Sequence, residues 1–193
     1  MNPAQRELIL GGQKSGKSRR GEQLAAAWLA SSPAHRAVLV ATAEAHDDEM
    51  RERIARHRAD RLMRVSRLET IEEPLHLAEA LIGLSSPDTL VLVDCLTLWL
   101  TNLMMPASEF EPDQAPAHDW RAQAATLLIA IEEARGPLVL VGNEIGLGVI
   151  PLGREVRAFV DALGQLNQQV AAACARVTLM TAGLPLTLKD AAA

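Results

Sequence analysis

The chain contains no tyrosine, and only two phenylalanines and three tryptophans among its 193 residues. Single-stranded nucleic acids are commonly held by stacking bases on aromatic rings, so this composition argues against such a binder. Basic residues are not in excess either. Nineteen Lys and Arg stand against 24 Asp and Glu, a net charge of −5, so no overall positive field draws a polyanion. Nucleic acid is therefore not an expected partner. Cysteine is nearly absent. Cys95 and Cys174 are too few for a disulfide framework and belong to no His/Cys cluster of zinc-ligand spacing, so reduced core thiols are expected. No apolar run reaches the length of about 18 residues that a membrane span needs. The N-terminus shows no basic-then-apolar leader pattern, so a cytoplasmic protein without a membrane span is expected.

What is present is ordinary globular material, 49% hydrophobic and 22% charged, of a length that suits one domain over residues 1–193. Short apolar runs alternate with longer helical patterns. Strands are expected at 8–10, 37–42, 89–93 and 137–142, with a last strand beginning at 176–180. Helices are expected at 18–30, 47–61, 71–82, 120–134 and 154–173. Pro74 fits the third of these helices only within its first turn. The stretch 106–117 holds three prolines with little periodic apolar character and reads as a loop or lid. Strand and helix in alternation predict an α/β fold, a mostly parallel sheet flanked by helices.

The strongest local signal is GGQKSGKS. Gly11, Gly12, Gln13, Lys14, Ser15, Gly16, Lys17 and Ser18 match G-x-x-x-x-G-K-[ST] in full, after a strand and before a helix. Glycines let the backbone turn tightly and aim N–H groups inward, and the following helix offers its positive end to phosphates. Lys17 reaches the β- and γ-phosphates, and the Ser18 hydroxyl is a ligand for Mg²⁺. An acid at the end of a neighbouring strand completes such a site, and Asp94 follows the third strand. The pattern implies a nucleotide and Mg²⁺. By itself it leaves open a kinase of any small alcohol, or a nucleotide-dependent switch protein.

The segment ATAEAHDDEMRERIARHRADR, 41–61, starts where the second strand ends. His57 stands among Arg53, Arg56, Arg58 and Arg61. Such a run also suits a solvated helical face. As chemistry, a neutral imidazole among cations is a competent nucleophile toward phosphorus. His46 is less suited, because Asp47, Asp48 and Glu49 beside it repel a phosphate. A further glycine-rich loop, NEIGLGVIP at 143–151, follows the fourth strand and would let a ligand approach the backbone closely.

Taken together, GGQKSGKSR, ATAEAHDDEMRERIARHR, LVDCLTLWLTNLM, VGNEIGLGVIP and FVDALGQLNQQVAAACARVTLMTAGLPLTLK resemble the bifunctional adenosylcobinamide kinase/adenosylcobinamide-phosphate guanylyltransferase family of cobalamin biosynthesis. The resemblance runs from Leu8 to about Lys189. It implies a P-loop NTPase fold of RecA-like type that phosphorylates adenosylcobinamide with ATP or GTP. GMP then passes from GTP to the new phosphate through a guanylylated histidine. The position matching that histidine is His57, with Lys17 as the other catalytic group. Nucleotide contacts are implied at Gly11 to Ser18, at Ala41, Thr42 and Ala43, at Arg58, Ala59, Asp60 and Arg61, and at Glu69 and Asp94. Mg²⁺ would be held by Ser18 and Asp94. A homotrimer is implied as well.

Overall fold

The computed structural model describes residues 6–44, 48–105 and 119–191. The expected lid at 106–117 and the rival His46 lie outside them. Thirteen elements follow one another among the described residues. They are β1 (Arg6–Gly11), α1 (Lys17–Ser31), β2 (Arg36–Ala41), α2 (Asp48–Arg64), β3 (Leu68–Glu72), α3 (Leu77–Leu84), β4 (Thr89–Asp94), α4 (Leu96–Met104), α5 (Trp120–Glu133), β5 (Leu138–Val141), α6 (Arg154–Ala173), β6 (Arg176–Thr181) and β7 (Leu184–Asp190). The strands form one sheet in the order β3-β2-β4-β5-β1-β6-β7. The first six are parallel and β7 runs antiparallel to β6. The α/β class and the parallel sheet are as the alternating pattern predicts.

The central strands are apolar on both faces because both faces are covered. Leu8, Leu10, Val91, Val93, Leu138 and Leu140 point into a core built with α3, α4, α5 and α6. Ile9, Leu39, Leu90, Leu92, Val139 and Val141 point to the other side, against Ala25, Trp28 and Leu29 of α1. Because the chain order crosses over within the sheet, the C-terminal ends of the parallel strands gather at one edge. That edge carries the loops after Gly11, Ala41, Glu72, Asp94 and Val141.

Three elements differ from the sequence expectation. The helix expected at 71–82 is a strand, β3, followed by α3. Pro74 disfavours helical backbone at Glu73, and the Glu73 carboxylate accepts from the N–H groups of Leu75 and His76 at 3.0 and 2.8 Å, opening a new helix there. β3 is an edge strand whose side chains are mostly exposed, so it carries little apolar signal. Helix α4, unassigned in the sequence reading, is buried on nearly every side, which erases the apolar periodicity that marks a surface helix. β7 returns along β6 through a two-residue turn at Ala182 and Gly183, both at positive φ, the geometry that tight hairpins favour.

Candidate active site

The loop from Gly11 to Gly16 leaves β1 and enters α1 at Lys17. Its conformation needs glycine at Gly11. A Cβ there would sit 2.5 Å from the Met180 carbonyl oxygen and 2.7 Å from Ser15 Oγ. The loop is tied on both flanks. Glu144 N–H donates to the Gly11 carbonyl at 3.1 Å from the β5 side, and Gly183 N–H donates to the Ser15 carbonyl at 3.0 Å from the β6–β7 hairpin. Gly12, Gln13 and Lys14 remain exposed at the mouth, whereas Ser15 and Lys17 are buried. Lys17 Nζ turns back to donate to the Gly12 carbonyl at 2.7 Å.

Burial holds the Lys17 ammonium below its ordinary pKa, opposed by the charges of Cys95 and Asp94. Cys95 is itself pushed up to about 11, chiefly by burial, so at neutral pH its thiol is uncharged and Asp94 is the operative anion. Cys174 is raised to about 12 for the same reason. Both thiols are free and buried, as core thiols.

Asp94 ends β4, with β5 between that strand and β1. The acid is thus on the next strand but one from the phosphate loop, not on the adjacent strand. Two strand spacings, about 9.5 Å, separate the strand ends. Among the described residues no three His, Cys, Asp or Glu side chains converge as a metal site. Ser18 and Asp94 offer a hydroxyl and a carboxylate, hard oxygen donors. That sparse set fits Mg²⁺, which keeps several waters and takes substrate phosphates as its remaining ligands.

The strand ends around this loop are braced by α4. Thr42 is fully buried, and its Oγ1 donates to the Cys95 carbonyl at 2.7 Å while accepting from the Cys95 N–H at 2.9 Å. Asn102 Nδ2 donates to the carbonyls of Thr42 and Pro74 at 2.8 and 3.1 Å. Thr97 Oγ1 accepts from the Asn143 N–H at 2.8 Å, and Trp99 Nε1 donates to the Leu75 carbonyl at 2.9 Å. The run D-C-L-T-L-W-L-T-N-L thus ties together the backbones that leave β2, β3, β4 and β5. Thr42 is a brace here, while Ala41 and Ala43 are half-buried at the same edge.

Residues 7–188 match the family model described as cobinamide kinase / cobinamide phosphate guanyltransferase. The chain belongs to this family. It is 47% identical over 185 residues to the bifunctional adenosylcobalamin biosynthesis protein CobP of Pseudomonas aeruginosa, covering 95% of this chain and 97% of that protein. It is 34% identical over 187 residues to the bifunctional adenosylcobalamin biosynthesis protein CobU of Escherichia coli, covering 94% and 98%. Among solved structures, the flagellar accessory protein FlaH of Methanocaldococcus jannaschii superposes with a TM-score of 0.52 at 11% identity, covering 97% of this chain and 79% of that one. A Pyrococcus horikoshii protein superposes with a TM-score of 0.52 at 9% identity, covering 98% and 88%. At such identities these two likenesses concern the fold alone.

For a member of the cobinamide kinase family, the placement of the remaining expected residues is informative. His57 lies in α2, one turn before Arg61 and two before Arg64. Arg58 Nη2 donates to Glu72 Oε1 at 2.7 Å, and both side chains are exposed. Ala59 is exposed, Arg61 is half-buried, and Asp60 shares their helix. Glu69 is not brought to the cradle. It pairs in register with Val38 near the start of β3, and its carboxylate meets Arg36 at 3.1 Å. Three residues of parallel strand, about 10 Å, part it from the strand end. The β3 acid at the cleft edge is Glu72, in register with Ala41. Strand register decides this, since three steps along β3 separate the two acids.

Sequence reasoning also missed Glu22. It is buried in α1 on the same stripe as Ala25 and Leu29, and Arg64 of α2 reaches it. A glutamate on the apolar stripe of an otherwise regular helix is the signal that marks it.

Proposed function

We propose that this chain transfers two groups in succession on one domain, a phosphoryl group to the aminopropanol hydroxyl of adenosylcobinamide and then GMP to the resulting phosphate. The chain is an enzyme of cobalamin biosynthesis, a cobinamide kinase and cobinamide phosphate guanylyltransferase, with a nucleoside triphosphate as substrate. The observation that carries the mechanism is the phosphate loop with Lys17 buried at its base beside Asp94.

In the kinase step Gly11 to Ser18 hold the β- and γ-phosphates of ATP or GTP. The Lys17 ammonium neutralises charge that develops on the transferred γ-phosphoryl group. Its buried position favours this, because a desolvated cation interacts more strongly with an anion than a hydrated one. Ser18 and Asp94 would hold Mg²⁺, which would further neutralise the phosphates. The acceptor oxygen forms a bond to Pγ, the bond from Pγ to the bridging oxygen breaks, and a nucleoside diphosphate leaves.

In the transferase step the neutral imidazole of His57 attacks Pα of GTP. A P–N bond forms, the Pα–O bond to the β-phosphate breaks, and pyrophosphate leaves. A phosphate oxygen of adenosylcobinamide phosphate then attacks the same phosphorus. The P–N bond breaks, the imidazole is restored and adenosylcobinamide-GDP is formed. In this reading Arg58, Ala59, Asp60 and Arg61 of α2 contact the triphosphate. The remaining nucleotide contacts fall to Ala41, Thr42 and Ala43. The resemblance adds Glu69, which lies toward the start of β3.

Self-association as a homotrimer in the cytoplasm belongs to the same reading. It is supported by apolar side chains left exposed in the loop before α6, among them Leu147, Val149, Ile150 and Leu152, and by Leu184 and Leu186 on the edge strand β7. No helix among the described residues is long and apolar enough to cross a membrane.

The deciding experiment is intact-protein mass spectrometry after incubation with GTP and Mg²⁺. Wild-type protein is expected to gain one GMP, and His57→Ala none, while the variant still phosphorylates adenosylcobinamide. Adenosylcobinamide-GDP formed by His57→Ala would rule out the covalent route through this histidine.

A further inference from the structure

Helix α2 carries the proposed nucleophile. Its charged residues far outnumber its apolar ones. The backbone continues into buried Val65, which closes the helix end by donating from its N–H to the Arg61 carbonyl at 2.8 Å. Among the described residues, an ionic contact joins the helix body to α1. Arg64 Nε lies 2.8 Å from Glu22 Oε2, and Arg64 Nη2 donates to Glu22 Oε1 at 3.3 Å. The Nε–H does not point at its oxygen, so Oε2 is left without a hydrogen bond. Arg61 lies in the same field, and its Nε and Nη1 are buried without a hydrogen-bond partner among the described residues.

The placement is specific. Glu22 is one turn after Ser18 on α1, within reach of the charge of Asp94. Positions 57, 61 and 64 recur at i, i+4 and i+7 on α2, which puts them on one stripe of that helix. A contact at position 64 therefore sets the roll and height of position 57. We propose that Glu22 is the positioning residue for the transfer helix: by holding Arg64 it seats α2 against α1, fixing His57 and the unpaired donors of Arg61 relative to the triphosphate. This rests on the histidine reading above and extends it. Glu22 touches no reacting atom in it.

The stability side of the contact separates this role from a merely structural one. Burial raises the Glu22 carboxyl above its ordinary pKa of 4.5, with Asp94 adding to the rise and Arg64 and Arg61 opposing it. The folded chain thus binds this proton more tightly than the unfolded chain. Ionisation costs the fold nothing below the unfolded value and more as pH rises past it. At neutral pH an uncharged, isosteric Gln is therefore expected to fold at least as well. Arg64 is partly exposed and returns to water when released.

The test compares full-length wild type, Glu22→Gln, Arg64→Gln and the double variant. Three quantities are read: the rate of GMP adduct formation from GTP, kinase turnover on adenosylcobinamide with ATP, and Tm. Each single variant is expected to slow adduct formation on the order of 10- to 100-fold, the loss that a misplacement of about 1 Å produces. Kinase turnover is expected to stay within about threefold, and Tm not to fall for Glu22→Gln. The double variant is expected to lose no more than either single one, because both remove the same link. Four outcomes overturn the inference: an unchanged adduct rate in Glu22→Gln, equal losses in both reactions, a Tm drop that tracks the rate loss, or additive effects. A wild-type protein that forms no adduct overturns the histidine reading itself, a result distinct from all four.

Discussion

The glycine loop after β1 and helix α2, which the proposed mechanism brings to one nucleotide, are tied to their neighbours in different ways. The loop is held by backbone hydrogen bonds from two neighbouring connections, and a Cβ at its first glycine would collide with the next strand. Its lysine is buried. From helix α2, Arg64 forms an ion pair with Glu22, and Arg58 one with Glu72. One site is moulded into the core of the sheet, and the other is fastened to its edge. The contrast follows from the chemistry required. A γ-phosphoryl transfer needs fixed donors around a small, highly charged group. In the proposed mechanism, the group on α2 would attack Pα and then pass GMP to a second, bulky acceptor.

The contrast can be broken first at Lys17. Lys17→Ala removes the buried cation of the cradle, and both the kinase turnover and the adduct rate are expected to fall by ~10³-fold or more. Steady-state kinetics and mass spectrometry read this directly. Retention of either reaction would show that the two steps do not share one triphosphate site.

Asn102→Ala addresses the core side of the comparison. It leaves the carbonyls of Thr42 and Pro74 without their buried donor, so a loss of about 1–3 kcal/mol is expected in denaturant unfolding. Kinase and transferase rates should decline together, since α4 braces the strand ends that both steps use.

The smallest effects lie on β3 and sharpen the assignment of its acids. Glu72→Ala frees Arg58 from an exposed ion pair of about 0.2–1 kcal/mol. The KM for GTP in adduct formation is expected to change by up to about fivefold, with kinase turnover on ATP unmoved. Glu69→Ala removes only the exposed contact with Arg36. It is expected to leave both reactions unchanged and stability within about 0.5 kcal/mol. A raised KM in Glu69→Ala would show that this acid contacts the nucleotide, as the family resemblance implies.

Legibility in the sequence followed the range of the interactions. The phosphate loop could be read because its eight residues are contiguous, and each answers a local demand of turn, dipole or charge. The central strands could be read because burial on both faces makes them continuously apolar. β3 and α4 could not. An edge strand with exposed side chains lacks apolar signal, and a helix buried all round lacks periodicity. For Glu69, the height along β3 follows from strand register, which sequence distance does not give.

By itself, the sequence determined the fold class, the glycine loop that leads into α1 at Lys17, the strand that ends at Asp94, and the charged helix α2. These depend on neighbours within a few residues or on simple alternation. Only the tertiary structure decided that β5 stands between Asp94 and the phosphate loop. The strand register likewise decided that Glu72 rather than Glu69 reaches the cleft edge. The link from Arg64 to Glu22 spans 42 positions of chain. Such a contact exists only once two helices are packed beside one sheet, because no local pattern encodes which distant charge a buried carboxylate will meet.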